Sequence, residues 1–325
     1  CVPTPFVTSG TTFSPDLSYI FDAAKSLLPL LKRGDLVILE STSPVGTTDS
    51  LAEYFEGEGI RQGEIDIAYC PERVLPGQVM SELVGNDRIV GGCSKNAATR
   101  AGNFYGSFVS GEIFLTNART AELCKLAENS FRDVNIAFAN ELSILCSNYD
   151  INVWDAIELA NRHPRVNILQ PGCGVGGHCI AVDPWFLVAG DEQNTKLIRA
   201  ARERNIEKQE WVVAEIENRA KNLVKNDGEI ISVACLGLAF KPNIDDLRES
   251  PAFEIADMLS SKGFLVKAVE PNIQEHATLT LSDLDEAIEG ADITVVLVSH
   301  KEFLEENVRS KLRQVKAMDF CGLGL

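Results

Sequence analysis

The chain has 325 residues, of which 45% are hydrophobic and 24% are charged, and its formal net charge is −17 at pH 7. This length allows two or three domains, each with its own core, and the composition is that of a globular protein. The acidic balance argues against nucleic-acid binding, which needs a basic face, so we predict no nucleic-acid partner. An anionic substrate would have to be met by a local cluster of Arg and Lys.

The nine cysteines are scattered along the chain and include no C-x-x-C pair. An odd, dispersed set is typical of reduced thiols in a cytosol rather than of a disulfide framework or a zinc site. We therefore predict a cytoplasmic protein without a metal. The sequence also contains no transmembrane run and no signal peptide, which predicts no membrane association.

Residues 1–115 alternate between helical and strand patterns. The patterns predict helices over 16–32, from near Thr48 and over 95–109, and buried strands at 36–39, 65–68, 88–91 and 112–115. This rhythm is typical of a parallel α/β sheet, which binds ligands at the carboxyl ends of its strands. Thr4, Ser41, Thr42 and the loop 70–76 fall at such ends.

The middle of the chain is predicted to be helical, with a helix over 119–149, a shorter one over 152–161 and a long one over 195–225. Lys125 and Asn129 are four residues apart, so they either belong to a solvated face or point together into a cleft. The first helix has an apolar stripe made of residues three or four apart, namely Leu123, Ala127, Phe131, Val134, Phe138, Leu142 and Leu145.

The last segment repeats the α/β pattern. We predict strands within the apolar run 230–238 and at 264–269, 293–298 and 315–319, and helices near 284–289 and from Pro251, with Ser250 as N-cap. The expected fold class is α/β, with two Rossmann-like parallel-sheet domains, the first incomplete, joined by a helical middle domain and a long connecting helix. The expected boundaries are 1–117, 118–226 and 227–325.

A glycine-rich loop, Pro171–Asp183, stands out as the candidate functional element. Its glycines allow close approach of a ligand, and successive glycine amides can form a phosphate-binding nest. Cys179 follows His178 at the end of the loop, with Asp183 four residues further on. Such a thiol suits covalent catalysis on a phosphorylated substrate. The alternative is a tight turn with a buried, inert cysteine.

The motifs together resemble the UDP-glucose/GDP-mannose dehydrogenase family from end to end. The stretches that carry the resemblance are Val2-Pro-Thr-Pro5, Glu40-Ser-Thr-Ser-Pro-Val-Gly46, Cys70-Pro-Glu-Arg-Val-Leu-Pro-Gly77, Arg119–Asn135, Asn161–Gly172, Gly176–Phe186 and Phe240–Pro251. The resemblance implies NAD-dependent oxidation of the C6 alcohol of a UDP-sugar to a carboxylate, in polysaccharide biosynthesis. The resemblance also implies UDP-N-acetylmannosamine as the sugar nucleotide. His178 stands where members that act on UDP-glucose tend to carry a smaller residue, which is consistent with an acetamido sugar.

The resemblance also implies roles for individual residues. Cys179 would be the nucleophile of a thiohemiacetal and thioester, Lys125 and Asn129 would stabilise an oxyanion, Asp183 would position water or a proton, and Glu72 would be the base that hydrolyses the thioester. The implied cofactor-binding residues are Thr4, Thr42, Thr48 and Arg248, and family members pair into homodimers through the middle segment. The implied substrate residues are Arg73, Val74, Arg132, His163, Arg165, Gly176, Phe240 and Lys241.

The sequence also departs from the family pattern. Residues 1–117 contain neither the G-x-G-x-x-G motif, which the family places on the first strand and helix of the cofactor domain, nor the acidic residue that holds the adenine ribose. This implies that about eighty family residues precede Cys1 and that this chain binds UDP-sugar but not NAD⁺. Cys173 replaces a proline that is usual in close relatives. Three alternatives stay open: oxidation of another UDP- or GDP-sugar, a two-electron dehydrogenase of the 6-phosphogluconate type, and a non-catalytic UDP-sugar-binding module.

Overall fold

A computed structural model describes residues 2–9, 12–74, 79–223, 229–276 and 279–325. The chain forms two compact units, one made of Cys1–Ser130 with Val182–Lys196 and one made of Phe131–Ala181 with Leu197–Leu325. We call them unit 1 and unit 2. The sequence predicted three sequential domains, and that division stays a prediction.

The helices and strands alternate as the sequence patterns predict. The helices are α1 (Ser18–Leu27), α2 (Thr47–Gly57), α3 (Val79–Gly85), α4 (Lys95–Tyr105), α5 (Ala118–Asn148), α6 (Val153–Ala160), α7 (Asp183–Gly190), α8 (Lys196–Lys221), α9 (Pro251–Ser261), α10 (Leu284–Glu289) and α11 (Glu306–Gln314). The strands are β1 (Phe6–Ser9), β2 (Thr12–Pro15), β3 (Leu36–Leu39), β4 (Asp66–Tyr69), β5 (Arg88–Gly92), β6 (Ile113–Asn117), β7 (Ser232–Leu236), β8 (Leu265–Val269), β9 (Ile293–Val296) and β10 (Met318–Asp319).

Unit 1 contains a sheet with the strand order β3-β4-β5-β6. The pairs β3–β4 and β5–β6 are parallel, with Leu36 opposite Asp66 and Arg88 opposite Ile113. The pair β4–β5 is antiparallel, which corrects our expectation of a wholly parallel sheet. An antiparallel neighbour needs no crossover back to the same end of the sheet, so the pattern of buried strands alone does not reveal its direction.

The hairpin of β1 and β2 was not predicted. Its strands pair antiparallel with Phe6 opposite Pro15, and the Phe6 ring stacks on Phe186 of α7 at a centroid distance of 5.4 Å. These strands are short and rich in threonine and serine, so their sequence shows neither a long apolar run nor a clear alternation. The aromatic contact attaches the hairpin to α7.

Unit 2 contains a sheet with the strand order β10-β9-β7-β8, and each of its pairs is parallel. Every residue of β7 is buried, as expected for a strand covered on both faces. The chain runs from β7 through α9 to β8 on one side and then returns to β9 on the other. The gap between the carboxyl ends of β7 and β9 is therefore the topological switch point, where open α/β sheets bind ligands.

Helix α5 has the length that its periodicity predicts, but most of its apolar stripe is not core. Phe131, Phe138, Leu123 and Leu145 are all exposed. The buried contact of its second part is polar: the Asp133 carboxylate accepts hydrogen bonds from Arg202 Nη1 at 2.5 Å and Asn205 Nδ2 at 2.8 Å, both on α8. Since the ion pair is inaccessible to water, it fixes the register of α5 against α8 within unit 2.

Candidate active site

The glycine-rich loop packs closely on the segment that follows β7. A Cβ at Gly176 would lie 2.2 Å from the carbonyl oxygen of Glu249, and one at Gly177 would lie 2.9 Å from the Phe240 ring. Gly177 also has φ +79°, which disfavours any residue with a side chain. The loop therefore needs glycine so that its backbone can closely approach Phe240 and Glu249 in the segment after β7. Our expectation of a phosphate-binding nest stays a prediction.

A cavity of about 230 Å³ lies at the switch point of the unit 2 sheet. We call it the unit 2 cavity. One wall is the segment 239–242 after β7, the second is the segment 297–299 after β9, and the third is the start of the glycine loop, residues 170–174. Phe240 offers a flat apolar surface and Lys241 a cation, with Nζ 5.6 Å from the Phe240 ring centroid. An aromatic ring beside an ammonium suits a base and a phosphate.

The sequence predicted Phe240 and Lys241 but missed the wall formed by Leu297, Val298 and Ser299. These residues follow directly on the apolar strand β9. The signal that would have found them is the strand order, because it makes β9 the neighbour of β7. Strand order cannot be derived from a single sequence.

Cys179 is exposed, and it interacts electrostatically with Arg248, which also belongs to unit 2. The Arg248 guanidinium donates to both carboxylate oxygens of Asp246, with Nε at 2.9 Å and Nη2 at 2.7 Å. The pKa of Arg248 is raised chiefly by Asp246 and to a smaller extent by Cys179. Because Cys179 is exposed, it is not the buried, inert cysteine of the alternative interpretation.

Three polar side chains converge inside unit 1. Asp183 Oδ2 accepts a hydrogen bond from Asn129 Nδ2 at 2.5 Å and lies 3.9 Å from Lys125 Nζ. Lys125 is only 8% exposed, so the solvated-face alternative for Lys125 and Asn129 is wrong. Burial raises the pKa of Asp183 to about 6, although Lys125 and Asn129 act to lower it. A carboxyl group with this pKa can exchange protons near neutral pH.

The residues of the Cys70–Gly77 motif that the structure describes form a compact turn in unit 1. Glu72 Oε1 accepts hydrogen bonds from the backbone N–H groups of Arg73 and Val74, both at 2.6 Å. Arg73 Nη1 pairs with Glu128 on α5 at 2.9 Å. The rest of the motif, residues 75–77, lies outside the described residues. The ion pair between Arg73 and Glu128 thus joins the residue after Glu72 to α5.

The predicted cofactor residues of unit 1 surround the carboxyl end of β3. Thr4 Oγ1 donates to the carbonyl oxygen of Thr42 at 2.6 Å. Thr48 is fully buried, and its hydroxyl donates to Glu122 Oε1 at 2.6 Å, while Gly46 N donates to Glu122 Oε2 at 2.6 Å. Glu122, which lies on α5, was not predicted. Its carboxylate accepts these hydrogen bonds at the start of α2. Short hydroxyl side chains at a strand end fit a dinucleotide, which is rich in oxygen acceptors.

The remaining predicted substrate residues lie elsewhere in unit 2. Arg132, His163 and Arg165 are exposed, and the N–H of Arg165 donates to His163 Nδ1 at 3.4 Å. Among the described residues they are not part of the lining of the unit 2 cavity. The structure therefore brings together Phe240, Lys241 and Gly176. It does not bring Arg132, His163 and Arg165 to that group.

The fold and the two sites define a nucleotide-binding enzyme of the dehydrogenase type. Three consecutive family models match the chain: the NAD binding domain of the UDP-glucose/GDP-mannose dehydrogenase family over residues 1–109, the central domain over 119–207 and the UDP binding domain over 234–323. The chain belongs to the UDP-glucose/GDP-mannose dehydrogenase family, as its motifs indicated, and NAD is the cofactor of this class.

Individual relatives agree with this assignment. The UDP-N-acetyl-D-mannosamine dehydrogenase of Escherichia coli K12 is 54% identical over 323 aligned positions, which cover 93% of this chain and 76% of that protein. The Campylobacter jejuni enzyme of the same name is 52% identical, with 98% and 80% covered. The solved structure of UDP-D-ManNAc dehydrogenase from Pyrococcus horikoshii is 42% identical and superposes with a TM-score of 0.87, covering 99% of this chain and 76% of that one.

Among the described residues, no helix combines the length and the apolar character that crossing a membrane requires.

Proposed function

We propose that this protein catalyses the NAD-dependent oxidation of UDP-N-acetylmannosamine at C6, through the aldehyde, to the uronate. The observation that carries the proposal is the unit 2 cavity at the sheet's switch point, bordered by the same glycine loop that bears Cys179. The Escherichia coli and Campylobacter jejuni relatives, at 54% and 52% identity, are both named for dehydrogenation of this sugar nucleotide. The expected boundaries of the domains, near residues 117 and 226, are part of the proposal.

The first half of the reaction converts the alcohol to the aldehyde. NAD⁺, when bound, would accept a hydride from C6 in each of the two oxidations, so two NAD⁺ would be reduced per sugar, and in the first oxidation the hydroxyl proton must leave as well. We assign that proton transfer to Lys125 together with Asp183, because Asn129 and Lys125 hold the Asp183 carboxyl group in a buried position. Lys125 and Asn129 also supply donors to the developing oxyanion, which is worth most in a site shielded from water.

The second half requires the cysteine. The Cys179 thiolate adds to the aldehyde carbon and gives a thiohemiacetal, whose C–H bond breaks as the second hydride leaves, so that a thioester forms. Water then attacks the thioester carbon and releases the uronate and the Cys179 thiol. Glu72 is the proposed base for that water, since its carboxylate is held by two backbone N–H groups.

The proposal assigns the remaining residues to binding. Lys241 and Phe240 would bind the phosphates and the uracil, and Gly176 would let the loop approach them. Thr4, Thr42 and Arg248 would bind the cofactor. Thr48, which we expected to join them, is buried with its hydroxyl bonded to Glu122, so it would support this strand end without touching the cofactor. The other proposed substrate-binding residues are Arg73, Val74, Arg132, His163 and Arg165.

We also propose that the protein is a cytoplasmic homodimer that pairs through α5. Phe131 is 71% exposed and Phe138 is 51% exposed, and with Leu145 they repeat every seven residues along one face. An obligate two-fold interface on this face would bury more than about 1,200 Å². Phe138→Glu should give a monomer in sedimentation experiments at micromolar concentration, whereas the exposed control Ser260→Glu on α9 should not. A monomeric parent would contradict the dimer.

The experiment that tests the function is turnover with a panel of sugar nucleotides. UDP-N-acetylmannosamine should give the highest kcat/KM, and UDP-glucose and GDP-mannose should be poor substrates. Preference for another sugar nucleotide would replace the substrate assignment, and UDP binding without any turnover would favour the non-catalytic module.

A further inference from the structure

The two strand-derived walls of the unit 2 cavity are fastened to each other by the residues that immediately follow them. Asn243 directly follows the wall 239–242, and its backbone N–H donates to Nδ1 of His300 at 2.9 Å. His300 follows the wall 297–299, and the next N–H, of Lys301, donates to Asn243 Oδ1 at 2.9 Å. Asn243 has φ +62°, a conformation that asparagine tolerates better than most side chains. The contact is therefore reciprocal and specific.

A buried carboxylate binds the backbone at the start of the wall 239–242. Glu270 follows β8, and its Oε2 accepts hydrogen bonds from the N–H groups of Leu238 at 2.8 Å and Ala239 at 3.0 Å and from His300 Nε2 at 3.0 Å. Because the N–H of Asn243 can only donate, Nδ1 of His300 must be the acceptor and Nε2 must carry the proton. The network thus fixes the His300 tautomer.

Glu270 stays ionised in this network. Burial alone would raise its pKa, but the hydrogen bonds from His300, Leu238 and Asn272 outweigh burial and bring the pKa to about 2. In dinucleotide-binding α/β domains, the acidic residue after the second strand binds a ribose hydroxyl. Glu270 follows the second strand of the unit 2 sheet but turns inward to backbone N–H groups. Its carboxylate serves the cavity wall instead of a ligand.

We propose that His300, with Glu270, is a positioning residue for UDP: it clamps the segment that carries Phe240 and Lys241 against the segment after β9. This inference rests on the proposed binding of UDP in the unit 2 cavity. Neither residue is expected to touch the nucleotide. Loss of the clamp should lower the affinity for UDP while the chemical steps, which depend on other residues, proceed at nearly the parent rate.

Two substitutions of His300 separate the contacts of Nδ1, with the N–H of Asn243 and with Asn272 Nδ2 at 3.0 Å, from the contact of Nε2 with Glu270. Asparagine places an acceptor where Nδ1 lies, so His300→Asn keeps the bond to the N–H of Asn243. Glutamine reaches the position of Nε2, so His300→Gln keeps the bond to Glu270 and loses the one to Asn243. Calorimetry with UDP should give a Kd within about twofold of the parent for His300→Asn and about 3- to 10-fold higher for His300→Gln. KM should follow Kd, with kcat nearly unchanged.

A third variant covers the case in which changes at a buried histidine unfold the protein. Asn243→Gly acts on the exposed partner; glycine accepts the positive φ, so the fold should keep its melting temperature while the bond from Lys301 is lost. The Kd for UDP should again rise about 3- to 10-fold. Equal affinity in His300→Gln or Asn243→Gly and in the parent would overturn the clamp. A parent chain that does not bind UDP would instead overturn the proposed function.

Discussion

Substitution of Gly176 by alanine tests whether the glycine loop depends on close packing. The added Cβ would lie 2.2 Å from the carbonyl oxygen of Glu249 and 2.6 Å from Pro251 Cδ. Both atoms belong to the backbone or to a rigid ring, so neither can rotate away. Overpacking of this kind costs about 1–3 kcal/mol. If the cost falls on the loop conformation that forms the unit 2 cavity, the affinity for UDP should fall about 5- to 150-fold.

The matched control is Gly172→Ala in the same loop. A Cβ there meets no atom within 4 Å, and the N–H of Gly172 can keep its bond to Asn140 Oδ1 at 2.8 Å. Alanine at such a position stabilises by about 0.4–1 kcal/mol, because it restricts the unfolded chain. Calorimetry with UDP and urea denaturation of both variants provide the measurement. Equal affinity and stability for Gly176→Ala and Gly172→Ala would refute the packing argument.

Three further predictions concern the polar groups. Lys125→Ala should lower kcat by about a hundred-fold, the usual loss of an oxyanion donor, and kinetics within threefold of the parent would contradict its role. Because Asp183 is protonated below its pKa of about 6, kcat should fall as the pH decreases through 6, and this acid limb should be absent from the residual activity of Asp183→Asn. Asp133→Ala leaves the buried Arg202 unpaired, so the free energy of unfolding in urea should fall by about 3–5 kcal/mol; a loss below 1 kcal/mol would show that the pair is dispensable.

Much of the fold could be predicted from local sequence because local chemistry decides it. The periodicity of α5 gives its length, and the Ser250-Pro251 pair marks the start of α9, where Ser250 Oγ accepts from the N–H of Phe253 at 3.4 Å. The direction of β4 beside β5 and the order of the unit 2 strands were not accessible, since they depend on pairing between distant segments.

The candidate site shows the same limit. The spacing of Lys125 and Asn129 predicted that they point the same way, but their meeting with Asp183 joins residues 54 positions apart. The apolar stripe of α5 was identified, yet periodicity alone does not tell a core face from an exposed one such as that of Phe131. Glu122 and Glu270 were missed because a buried carboxylate that caps backbone N–H groups resembles a solvated charge in sequence.

The central claim is that the protein oxidises C6 of the sugar twice and that Cys179 is needed for the second oxidation. The most direct measurement is the number of NADH molecules formed per UDP-N-acetylmannosamine consumed to completion, in the parent and in Cys179→Ser. With a complete NAD-binding domain on both proteins, we predict two NADH and the uronate for the parent, and no uronate for Cys179→Ser, with UDP-sugar affinity nearly unchanged. One NADH per sugar in the parent, or two in Cys179→Ser, would contradict the account.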